Sequence, residues 1–87
     1  MLPNDVWDHF LEVSVRAVTL GRRGDLAGGH AALRQGLREA KADQAAGQAW
    51  AVELISLYRR ALDLYEESHG ARLLRQAPNA APDDDAP

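Results

Sequence analysis

No cysteine occurs among the 87 residues. Disulfides, thiolate zinc sites and thiol catalysis are therefore excluded, and the composition fits a reducing compartment. An excess of positive charge is missing too. The formal net charge is -3, and the run Asp83-Asp84-Asp85 supplies all of it. What remains is close to neutral, without the basic footprint of a nucleic-acid binder. No stretch approaches the roughly 18 uninterrupted apolar residues of a membrane span, and the N-terminus lacks a basic segment followed by an apolar run. A soluble, cytoplasmic protein is expected. Nor does any segment alternate apolar and polar residues for long enough to read as a strand.

What the chain does contain is helical periodicity broken by glycine. Pro3 precedes Asn4 and Asp5, either of which can accept hydrogen bonds from free N–H groups, and Asp5 and Asp8 place negative charge at the positive end of a dipole. A first helix is expected from about Asp5 to Leu20, ended by Gly21 and Gly24. Asp25 caps a second helix, Leu26 to about Ala42, and Ala45-Ala46-Gly47 marks the next break. A third helix is expected from about Gln48 to Ser68, stopped by Gly70. The expected architecture is an all-α three-helix bundle over residues 1–77. The segment 78–87, with three prolines and three consecutive aspartates, cannot bury enough surface to offset its ordering entropy and reads as a disordered tail. About 70 residues are left for folding, a size at which one core is marginal and oligomerisation is common.

At 100° per residue the second helix gathers Leu26, Gly29, Leu33, Gly36, Leu37 and Ala40 within about 100°, the width of a helix buried on one side. The third helix spreads Trp50, Ala51, Leu54, Ile55, Leu57, Tyr58, Ala61, Leu62, Leu64 and Tyr65 over about 180°. The first is wider still, with Val6, Trp7, Phe10, Leu11, Val13, Val15, Ala17, Val18 and Leu20 over about 220°, interrupted by Ser14. A narrow second helix cannot cover both surpluses, and contiguous exposed apolar surface points to a partner or a second copy. The alternative is that the first and third helices cover each other while Leu73-Leu74 folds back over the rest.

The run from Val13 to Leu37 resembles a tetratricopeptide repeat, a helix-turn-helix unit of about 34 residues. Aligned on Gly24-Asp25-Leu26, Ala17 takes the small position of the first helix and Leu20 the large one after it. Gly29 and Gly36 take the small positions of the second helix, with Leu33 between them, and Trp50-Ala51 with Leu54 would open the next helix. The repeat's usual closing proline is absent around Lys41, and no second full repeat follows. The resemblance implies a helical hairpin whose stack is incomplete on its own, and hence self-association or docking on something larger.

The candidates for chemistry have plainer readings. Gly21-Arg22-Arg23-Gly24-Asp25 with Gly28-Gly29 is glycine-rich and precedes a helix, as phosphate loops do. It lacks a Lys-Ser/Thr pair, follows no strand, and places Asp25 where an anion would sit, so a capped turn accounts for it. His9, His30 and His69 fall on different helical segments with no metal-ligand spacing, and His30 borders the apolar stripe. Ser14 can bond back to a carbonyl one turn earlier. No nucleophile has a base beside it, and no catalytic, cofactor or metal role is assigned. Trp7, Trp50, Tyr58 and Tyr65, four of the five aromatics, all lie on the two wide faces, and aromatics commonly anchor interfaces. The expected function is a non-catalytic protein-interaction module whose partner, protein or second copy, is held by Trp7, Leu11, Val15 and Val18, with Ile55, Tyr58 and Leu62 on the third helix. The alternative is a helix-turn-helix regulator touching nucleic acid through Arg22, Arg23, Arg34 and Arg38.

Overall fold

The computed structural model describes residues 1–76; the acidic tail expected over 78–87 lies outside the described residues. Those described form three α-helices and no strand: α1 Asn4–Arg22, α2 Leu26–Ala45 and α3 Ala51–Gln76. The all-α bundle expected from periodicity is the fold observed. No helix among the described residues is long and apolar enough to cross a membrane.

The boundaries differ from expectation in instructive ways. Asn4 and Asp5 do not cap α1. The N-cap is Pro3, with no side-chain cap bond, and its carbonyl accepts from the Trp7 N–H at 2.9 Å. Gly21 lies inside α1, and Gly24, at φ 91°, makes the turn. Gly47, at φ 90°, makes the second; both positions suit glycine because a Cβ is strained there. Gly70 does not stop α3. It sits in open space within the helix, which runs on to Gln76 because Leu73 is buried and Gln76 has a partner on the far side of the fold.

That partner is the start of α2. Leu26 and Ala27 donate their N–H groups to Gln76 Oε1 at 2.9 and 3.2 Å, and Gln76 Nε2 donates to the Gly24 carbonyl at 2.7 Å. Asp25 Oδ1 accepts from the Gly28 N–H at 2.9 Å, as expected of an N-cap, and the Asp25 N–H reaches the Leu20 carbonyl at 2.9 Å. All four N–H groups that a helix start leaves orphaned are thus used internally.

α2 is the middle element. It packs against both neighbours, whereas α1 and α3 hardly meet through their backbones. Its stripe of Leu26, Gly29, Leu33, Gly36, Leu37 and Ala40 is buried throughout, as periodicity required. Each buried leucine stabilises by about 1.5 to 3 kcal/mol. The two glycines let aromatic rings cross α2. A Cβ on Gly36 would fall on the Tyr58 ring, and one on Gly29 would fall on the Tyr65 hydroxyl and the Ala17 carbonyl. Through these notches the α3 tyrosines reach α1: Tyr58 meets Phe10 edge-on at 4.9 Å, and Tyr65 passes beside Gly21. Tyr65 satisfies its hydroxyl by donating to the Leu26 carbonyl at 2.8 Å.

His30 is more deeply placed than a boundary residue. It is 2% exposed, and its Nε2 lies 2.7 Å from Glu66 Oε2. This polar pair ties α2 to α3, and burial without it would leave an unsatisfied imidazole.

Candidate interaction face

Because α1 and α3 flank α2 instead of covering one another, the outward flank of α1 has no neighbour among the described residues. Trp7, Leu11, Val15 and Val18 keep between 41% and 64% of their surface exposed. Phe10, Ala17 and the half-buried Val6 and Val13 occupy the opposite side and face the core. Trp7, Leu11, Ser14 and Val18 recur at alternating intervals of four and three residues, the spacing of a seam that pairs with another helix. Trp7 is braced from below by Phe10, stacked at 5.7 Å between ring centroids. The Trp7 ring is thus held in place by the chain's own packing.

Across from this seam stands Leu64 of α3, 52% exposed. Between the helices runs a trough of about 280 Å³, with Ser14, Ala17 and Val18 on one wall, Ala61, Leu64, Tyr65, Ser68 and His69 on the other, and Leu33 in its floor. Two polar atoms among its lining groups, Ser14 Oγ and His69 Nδ1, are buried without a hydrogen-bond partner among the described residues. The back-bond expected of Ser14 is made instead by Thr19, to the Val15 carbonyl at 2.8 Å, and by Ser56, to Val52 at 3.2 Å.

The α3 residues expected at the contact are placed differently. Tyr58 and Leu62 are 1% and 7% exposed and belong to the chain's own core. Ile55 is half-buried beside Lys41 and Gln44 of α2, on the side of α3 turned away from Leu64. The reason is directional: α3 presents one edge of its wide arc to α2 and the other to the trough, and the trough edge is that of Ala61, Leu64 and Ser68. The residue the sequence reading passed over is Leu64. Its place at the outer limit of the α3 arc was the available signal. Of the Leu73-Leu74 pair, Leu73 is buried and Leu74 is exposed.

Burial pushes the Tyr58 hydroxyl up to about 12, with the Glu39 carboxylate adding to the effect. Tyr65 is raised in the same way by burial and, secondarily, by Asp25. Both phenols therefore stay protonated further into the alkaline range than a free tyrosine. The glycine-rich turn has no N–H groups to offer an anion, since Gln76, Asp25 and Leu20 take them. His9 approaches Glu39 at 3.5 Å and His30 faces Glu66. Among the described residues no three His, Cys, Asp or Glu side chains converge as metal ligands would. Arg22 and Arg23 are exposed at the α1–α2 turn. Arg34 and Arg38 lie on α2, where Arg38 donates to Gln35 Oε1 at 2.6 Å. No protein-family model, curated protein or solved structure matches this chain.

Proposed function

We propose that this chain is a non-catalytic, cytoplasmic protein-interaction module that binds protein surface through the outer flank of α1 and the adjoining trough edge of α3. One observation carries the reading: Trp7, Leu11, Val15 and Val18 stand exposed in one contiguous strip beside Leu64. Apolar strips of this kind on small domains mark interaction sites. The tetratricopeptide resemblance of Val13 to Leu37 fits the same role, as a repeat-like hairpin short of a full stack.

The test is the mass of the wild-type chain and of Leu11→Asp at micromolar concentration, in buffer and after mixing with lysate. The wild type should run as a species heavier than its own 9.5 kDa. Leu11→Asp should lose that species while keeping its helical circular dichroism. A wild-type chain at 9.5 kDa in both conditions, or a heavier species indifferent to the added charge, overturns the reading.

A further inference from the structure

We infer that the occupant of the α1 flank is a second copy of this chain, whose α1 runs antiparallel to the first about a twofold axis beside Val15. The inference rests on the functional reading above and names its partner. It comes from the placement of charge along the strip. In α1 every carboxylate, Asp5, Asp8 and Glu12, precedes every guanidinium, Arg16 and Arg22. That order alone would suit the helix's own dipole. The dipole does not explain why Asp8, Val15 and Arg22 lie seven residues apart on one line along the edge of the apolar seam. All three are exposed, and neither Asp8 nor Arg22 makes an ion pair or side-chain hydrogen bond within the chain among the described residues.

A twofold axis at the middle member of such a line is self-complementary. A twofold contact repeats each pairing, residue i on j and j on i. With Val15 against Val15 of the second copy, Asp8 falls opposite the second copy's Arg22, and Arg22 opposite its Asp8. Leu11 comes between Val18 and Thr19 of the second copy, and Trp7 comes under its Arg22 and Arg23, within reach of a cation–π contact. Parallel pairing would set Asp8 on Asp8 and Arg22 on Arg22. The opposed helix dipoles favour the antiparallel choice as well. Leu64 of each copy borders the contact from the trough side. One helix pair with a leucine on each flank lies near the small end of specific interfaces, so dissociation constants on the order of micromolar are expected.

The test is a charge exchange read by sedimentation equilibrium from low to high micromolar concentration. The wild type should reach a mass twice its 9.5 kDa. Asp8→Arg alone and Arg22→Asp alone each place like charges together twice, and each should weaken dimerisation about tenfold or more. An equimolar mixture of the two variants should dimerise again, since the mixed dimer has two Arg–Asp pairs. Both sites are exposed, and unchanged circular dichroism confirms the fold. A mixture as weak as either variant, or singles as tight as wild type, overturns the register. A wild type that stays at 9.5 kDa at every concentration overturns the second copy. The functional reading then stands or falls separately, on whether Leu11→Asp removes the heavier species formed with lysate.

Discussion

The ring of Tyr58 lies against the bare backbone of Gly36, in the space a Cβ would fill. Seven residues later in α3 and seven earlier in α2, in the same antiparallel register, the Tyr65 hydroxyl does the same at Gly29. Two tyrosines of α3 thereby cross α2 and touch α1, and the three helices hold together although α1 and α3 scarcely meet.

Alanine at these glycines should act against its usual sign. In an open helical position Gly→Ala gains about 0.5 to 1 kcal/mol through chain entropy. Gly70→Ala, with nothing within 4 Å of the new methyl, should show that gain in urea melts. Gly36→Ala and Gly29→Ala should each lose about 1 to 3 kcal/mol, as overpacked sites do. Gly29 is the more constrained, since the Ala17 carbonyl is backbone and cannot turn aside. Equal gains at all three positions would show that the rings do not fill the notches.

The end of α3 should matter to the start of α2. Gln76→Ala removes the acceptor for the Leu26 and Ala27 N–H groups and the donor to the Gly24 carbonyl. A loss of about 1 kcal/mol is expected, in the range of a missing helix cap. Hydrogen exchange should localise it, with faster exchange at Leu26 and Ala27 than at Leu33. Unchanged exchange there would count against the bond.

These two features also show where local pattern stopped being informative. The α2 stripe was legible because Leu26, Gly29, Leu33, Gly36, Leu37 and Ala40 recur at helical spacing and a helix between two neighbours must bury them. Asp25 was legible because capping is local. Gly70 does not stop α3 because its φ is not positive, and the bond that extends α3 spans fifty residues from Gln76 to Leu26. For Tyr58 and Leu62 a helical wheel gives only the width of the apolar arc. It does not say from which side the neighbour comes.

The pair of His30 and Glu66 offers a third check. With Glu66→Leu the imidazole stays buried and loses its partner, which should cost about 1 to 3 kcal/mol. Glu66→Gln keeps a hydrogen-bonding group within reach and should cost less. Thermal melts of the two variants give the comparison, and a leucine variant as stable as the glutamine one would mean that the buried pair contributes nothing.

Alkaline unfolding should follow from the tyrosines. The chain has two, Tyr58 and Tyr65, and both are raised above their ordinary value of 10.0, Tyr58 to about 12. Between these pH values the folded chain holds a proton at Tyr58 that the unfolded chain releases. The folded state binds more protons there, so stability falls as pH rises. The contribution is fully present below pH about 10 and is lost on the way to about 12. Tyrosinate absorbance should therefore lag behind that of free tyrosine and rise together with the loss of helical circular dichroism. In Tyr58→Phe the fall in stability across this window should become shallower, leaving the share due to Tyr65. Tyrosinate absorbance already half complete at pH about 10, as for free tyrosine, with the helices intact would show that neither hydroxyl is shielded from water as the fold requires.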